Sequence, residues 1–196
     1  VKQVWAHPRG SRAAKDKLDA AMAEFAVGEG DHITLLNVMR GFADEGSNGD
    51  PTWCSENFLQ LRALKRAVEV QKQLTGYMRR IAPPGFQGAR DELPSCGEDT
   101  EALRKCILAG YFSHAARLGS DGYYHTVRGN HTVQLHPSSV LAKFGAPPEF
   151  VVFHEYVSVG QEYIRDCSRI QGKWLTEIAP HFYTSQNSSG ANFARR

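Results

Sequence analysis

The chain has 196 residues, and 23 Lys and Arg against 21 Asp and Glu leave a net charge of +2. Its 41% hydrophobic and 22% charged residues are ordinary globular usage and exclude wholesale disorder. No apolar run approaches the ~18 residues of a membrane span, and no charged start leads into an apolar signal core.

Residues 1–10 read as an extended lead-in, because His7 precedes Pro8 and is biased away from helix. Leu18, Met22 and Phe25 then fall at helical spacing, predicting a short amphipathic helix over 11–25 that Gly28-Glu29-Gly30 stops. Asp31 reads as the N-cap of a second helix, bonding its backbone N–H groups, with His32 packing nearby and Ile33 and Leu36 in the core. Residues 46–51 read as a loop. Residues 52–81 predict one helix about 45 Å long. Phe58, Leu61, Leu64, Val68, Leu74, Met78 and Ile81 form its apolar face. Arg62, Lys65, Lys72 and Arg79 form a second stripe. Between Trp53 and Ala82 six Lys and Arg stand against two Glu, so a charge of +4 is concentrated there.

Pro83-Pro84-Gly85 ends that helix, and a polar loop follows over 84–94. Asp99 or Thr100 caps a further helix expected to run to residue 116, with Leu103, Ile107 and Phe112 in its core. The period then changes. Residues 123–128, 132–136, 150–158 and 163–170 are rich in Val, Tyr and Phe with rough alternation, predicting strands. Residues 173–178 form a closing helix stopped by Pro180, and 184–196 are expected to be a disordered tail. Helices first and strands afterwards imply an α+β fold. Four or five short strands fit a small closed OB-like barrel, a common platform for single-stranded nucleic acid. The expected division is a helical region, 1–94, and a barrel with a leading helix, 95–183.

The residues for chemistry are missing. No G-x-x-x-x-G-K-[ST], G-x-S-x-G or H-E-x-x-H motif occurs. Cys54, Cys96, Cys106 and Cys167 lie far apart without a C-x-x-C pair, so reduced thiols are expected rather than a zinc site. His154-Glu155 is the nearest approach to an acid/base pair, and alternation along a strand would point the two to opposite faces. No catalytic residue, metal site or cofactor is assigned to the chain. The start at Val1 rather than Met suggests a fragment of a longer protein.

Several strings together resemble one family. Residues 30–38, GDHITLLNV, are similar to the GDHLTLLNVY segment of the DEAH-box RNA helicases. Trp53-Cys54-Ser55-Glu56-Asn57-Phe58, followed by Arg62-Ala63-Leu64-Lys65-Arg66-Ala67, resembles their WCxxNFxxxRxLxRA helix, with Ser55 where the family has a bulkier residue. Gly110-Tyr111-Phe112 with Ala115-Ala116 resembles GFFxNAA, Leu135-His136-Pro137-Ser138-Ser139 resembles IHPSS, and Val151-Val152-Phe153-His154-Glu155 resembles VVYHE. Arg165-Asp166 and residues 174–180, WLTEIAP, complete the series in order. The resemblance implies the C-terminal helicase-associated region, a ratchet-like helical domain followed by an OB-fold. ATP, Mg²⁺ and RNA unwinding are thereby implied for a parent protein whose RecA-like domains lie upstream. A nuclear location follows by the same analogy, in a family that serves splicing, ribosome assembly and RNA surveillance.

RNA binding needs cations or hydroxyls along a groove and flat groups on which bases stack. Arg62, Lys65, Lys72 and Arg79 could track phosphates or be a solvated face; the resemblance adds Arg66 and supports Arg62. His136, Ser138 and Ser139 could donate to phosphate and 2′-hydroxyl groups, or the serines could cap their own turn. Arg165 either contacts RNA or pairs with Asp166 to fix a loop. Tyr123, Tyr124 and Tyr163 read as stacking candidates or as core. The expected function is non-specific guidance of single-stranded RNA. The alternative is a docking module for activators such as G-patch proteins, which the near-neutral total charge favours.

Overall fold

The computed structural model describes residues 4–8, 12–44, 50–81, 95–185 and 193–194. The predicted loop at 84–94 and residues 46–49 of the earlier loop lie outside them. The chain divides into a helical unit, Val1–Phe25 with Leu36–Gly97, and a second unit, Ala26–Leu35 with Glu98–Arg196. Residues 26–35, which the sequence assigns to the helical region, therefore belong with the strands.

The helical unit contains α1 (Arg12–Phe25), α2 (Asp31–Asp44) from Leu36 onward, α3 (Pro51–Glu56) and α4 (Leu61–Ile81). Its core is Val38, Phe42, Cys54, Leu59 and Leu64, with Trp5, Phe25 and Trp53 packed against it. The single helix predicted over 52–81 is two helices. Asp50 accepts the Thr52 N–H at 2.8 Å and Pro51 opens α3 with its fixed φ. Phe58 then adopts φ +54°, and the Leu59 N–H turns back to the Cys54 carbonyl at 2.7 Å. The 21 residues of α4 span about 32 Å. Its apolar periodicity outruns its packing: Ala63 and Leu64 are buried, whereas Leu74, Met78 and Ile81 are 56%, 50% and 71% exposed. Those three are not core residues, because spacing records amphipathicity and burial needs an opposing surface.

The second unit contains α5 (Thr100–Gly110), β1 (Ala115–Leu118), β2 (Tyr124–Thr126), β3 (Thr132–Leu135), α6 (Val140–Lys143), β4 (Phe150–Val159), β5 (Gln161–Ile170) and α7 (Gly172–Ile178). The five strands close into a barrel in the order β1-β2-β3-β5-β4. Among the described strands of the barrel only β3 and β5 pair in parallel. This is the α+β, OB-type architecture expected from the sequence. The helix predicted to residue 116 ends at Gly110, and Ala115-Ala116 enter β1 with both side chains buried. Val133, Val151, Phe153 and Ile164 pack inside the barrel. Phe150, Val152 and Ile170 face outward onto Leu108, Trp174 and Leu175, so helices α5 and α7 share one core with the outer face of β4. In the predicted disordered tail, Thr184–Ser185 (β6) pairs antiparallel with Phe193–Ala194 (β7); residues 186–192 and 195–196 lie outside the described residues. Among the described residues no helix is long and apolar enough to cross a membrane.

Residues 26–35 are stitched to the barrel by their backbone. Gly30 bridges Ser168, and the Arg169 N–H donates to the Glu29 carbonyl at 2.9 Å. At Gly30, with φ +109°, a Cβ would lie 2.3 Å from the Cys167 carbonyl oxygen, so no other residue fits. Asp31 does not cap its own helix through its side chain. Its buried carboxylate accepts hydrogen bonds from the Ser139 hydroxyl, the Val140 N–H and the Cys167 N–H, each at 2.7 Å. The helix end it serves is that of α6, 108 residues away in sequence.

Candidate nucleic-acid interface

Strand alternation decides what β3 and β5 show to the outside. Val133 and Leu135 face the barrel interior, so Gln134 and then His136 face out; the His136 N–H extends the ladder to the Ile164 carbonyl at 2.9 Å. Ile164 is fully buried, which turns Tyr163 and Arg165 outward. Cys167 is interior as well, only three residues on, because Asp166 with φ +54° shifts the phase of the alternation. Arg165 and Asp166 therefore both reach the surface, and so do their partners His154 and Glu155 on β4. The expectation that His154 and Glu155 point to opposite faces fails for this reason.

On this outer face Tyr163 sits beside Gln134 across the parallel pairing, and its hydroxyl donates to the Gln161 side-chain carbonyl at 3.0 Å. The His136 ring stands edge-on to the Tyr163 ring at 5.6 Å. The Ser138 hydroxyl lies 2.6 Å from His136 Nδ1, and the Ser138 N–H donates to the same nitrogen at 3.1 Å. Arg165 is held by Glu155, and its Nε lies 3.9 Å from Asp166. Burial, and then the charge of Arg165, holds the His136 imidazole below its usual 6.5. The structure thus brings His136, Ser138 and Arg165 together with Tyr163. Ser139 is set apart: it is buried, its hydroxyl donates to Asp31 and accepts from the Leu141 N–H at 3.3 Å.

The other predicted residues lie on α4. Arg62, Lys65, Arg66 and Lys72 are all exposed. Lys65, Arg66 and Lys72 line a groove of about 610 Å³ together with Phe42, Val68 and Glu69. Lys72 approaches Glu69 at 3.4 Å, both side chains being more than half exposed, so water screens the pair and the cations remain available.

The three tyrosines part company. Tyr124 is buried with its hydroxyl on the Pro148 carbonyl at 2.6 Å, Tyr123 is 44% exposed, and Tyr163 is half-buried on the outer face. Gln134 and Gln161 belong to the face and are not singled out by the sequence, and Glu155, which the sequence offers only as half of an acid/base pair, joins them as the partner of Arg165. Their shared outward parity with His136, Tyr163 and Arg165 is readable only once β3 is known to pair with β5. All four cysteines are free, and among the described residues no group of three or more His, Cys, Asp or Glu is placed to hold a metal ion.

Residues 103–183 match the family model for the oligonucleotide/oligosaccharide-binding (OB)-fold. The chain is similar over 160 residues, at 38% identity, to the protein named "Probable ATP-dependent RNA helicase DHX35" of Homo sapiens, and equally to its namesake of Pongo abelii. In each case the similarity covers 82% of this chain and 21% of the relative, so the chain spans about a fifth of the length of these curated relatives. Motif order, barrel closure and these similarities agree: the chain belongs with the OB-fold-bearing C-terminal regions of the DEAH-box RNA helicases.

Proposed function

We propose that this region guides single-stranded RNA without base specificity, as an accessory part of an ATP-dependent RNA helicase. The observation that carries the reading is the outer face of the closed barrel, where His136, Ser138, Tyr163 and Arg165 converge beside Gln134. Polar groups and a flat ring on such a barrel suit a ribonucleotide strand whose bases differ from place to place. The α4 groove adds three cations for phosphates, and none of these groups reads a base edge in a fixed pattern. ATP and Mg²⁺ would be handled by RecA-like domains of the same protein, since the sequence holds no phosphate-binding loop. A nuclear location goes with that assignment. Titration of fluorescent single-stranded RNA of several sequences against the chain, over a range of salt, tests the reading. Binding should be weak, alike for all sequences and strongly salt-dependent.

A second reading is favoured by one observation. Leu74, Tyr77, Met78 and Ile81 follow one another at helical spacing on α4, each at least half exposed. Such a stripe suits a protein partner, for instance a G-patch-type activator.

A further inference from the structure

We infer that the Ser138 hydroxyl oxygen, set as a hydrogen-bond acceptor by His136, receives the ribose 2′-hydroxyl and makes this face of the barrel prefer RNA to single-stranded DNA. The inference rests on the RNA reading above and assigns the discriminating atom within it.

Two groups of Ser138 converge on His136 Nδ1: the backbone N–H at 3.1 Å and the side-chain oxygen at 2.6 Å. A backbone N–H can only donate, so Nδ1 is an acceptor and the ring proton resides on Nε2. Burial and the neighbouring Arg165 guanidinium favour the neutral ring. A hydroxyl 2.6 Å from an accepting nitrogen directs its own proton there. The Ser138 oxygen is left with lone pairs and no proton to offer, so its next partner must be a donor. The sugar–phosphate backbone of DNA carries acceptors only. RNA adds one donor per nucleotide, the 2′-hydroxyl. Phosphate is disfavoured at this spot for a second reason: Glu155 and Asp166 flank the nearest cation, Arg165. The same contact carries no net charge, so it separates RNA from DNA without adding to the salt dependence.

Ser138 makes the contact and His136 is a positioning residue. The test compares binding of a twelve-residue oligouridylate with its 2′-deoxyuridine and 2′-fluorouridine counterparts, in which the bases are identical and the 2′ donor is lost, the fluorinated sugar keeping the ribose-like pucker. The unaltered chain should hold the ribose form about fivefold tighter than either analogue, the factor that one net hydrogen bond supplies. Ser138→Ala should bring the ratio toward one. His136→Phe should do the same by freeing the Ser138 proton, whereas His136→Asn, which keeps an acceptor near the Nδ1 position, should retain most of the preference. Lys65→Ala should weaken all three oligonucleotides and leave the ratio in place. Equal binding of ribose and deoxyribose forms by the unaltered chain overturns the inference while the RNA reading stands, and so does a preference that survives Ser138→Ala. A 2′-fluoro strand that binds as RNA does also overturns it, because sugar pucker and not the hydroxyl is then read. Failure to bind any of the three overturns the RNA reading itself.

Discussion

Asp31 and Ser139 stand 108 residues apart in sequence and 2.7 Å apart across a buried hydrogen bond. The same carboxylate takes the N–H groups of Val140 and Cys167, so one side chain fixes the start of α2, the start of α6 and the interior of β5. It also sets the turn on which His136 and Ser138 are presented, because Ser139 is the next residue. Asp31→Ala leaves three buried donors without an acceptor. At about 1–3 kcal/mol for each, the expected loss is roughly 3 kcal/mol or more, read from urea unfolding. Asp31→Asn should not rescue it, since its amide N–H groups would meet donors. Ser139→Ala should lose about 2–3 kcal/mol, since it removes both the N-cap of α6 and one hydrogen bond to the buried Asp31 carboxylate. A loss below about 1 kcal/mol for Asp31→Ala would show that water or another acceptor takes over these donors.

Much of the barrel was legible because its strands are rich in β-branched and aromatic residues and are punctuated by Gly, Asn and Pro. β1 escaped because Ala115-Ala116-Arg117-Leu118 is short, and its alanines carry no strand preference; the barrel alone makes it a strand. The break at Phe58 escaped because the apolar spacing runs through it without a gap. Asp31 looks locally like a cap, the commoner use of an Asp before a helix, while its partners come from residues 139, 140 and 167. Of the candidate site, His136 and Ser138 were legible as a turn. Their union with Tyr163 and Arg165 depends on a parallel strand pairing and on the change of phase at Asp166, which no local pattern announces.

Acidification should destabilise the fold in a defined window. Burial holds the His32 imidazole, whose Nδ1 lies 2.9 Å from the Ser168 hydroxyl, below its usual 6.5, and His136 is lowered as well. A depressed histidine binds fewer protons in the folded chain than in the unfolded one. Stability is therefore full above about pH 6.5 and is lost as pH falls through that value toward the folded one. Asp31 runs the other way: burial raises its carboxyl above 3.8, so protonating it as pH falls relieves part of its desolvation. The melting temperature should fall between about pH 7 and pH 5.5, and His32→Asn should flatten that fall. An unchanged pH profile in His32→Asn would remove His32 from the account.

The two halves of α4 should respond differently to truncation. Leu64 is fully buried, so Leu64→Ala should destabilise by about 2–5 kcal/mol through the cavity it leaves. Leu74 is 56% exposed, and Leu74→Ala should stay within about 0.5 kcal/mol. Equal, large losses at both positions in denaturant melts would mean that Leu74 is covered in solution.

Glu155 restrains Arg165, so removing its charge should release a cation toward RNA. Glu155→Gln is expected to tighten single-stranded RNA binding and to steepen the log–log salt slope by about 0.7, the contribution of one further phosphate contact. Affinity and slope that both stay at the parent values would mean that Arg165 serves the pairing of β4 with β5 alone.

The most direct test of RNA guidance is the salt dependence of single-stranded RNA binding by the chain and its Lys65→Ala/Lys72→Ala variant. With Lys65, Arg66 and Lys72 in one groove, three phosphate contacts at ~0.7 each predict a log–log slope of about −2. The double variant should bind more weakly, with a slope of about −0.7. No detectable binding by the unaltered chain at about 50 mM salt, or a slope that the double variant leaves unchanged, would contradict the account.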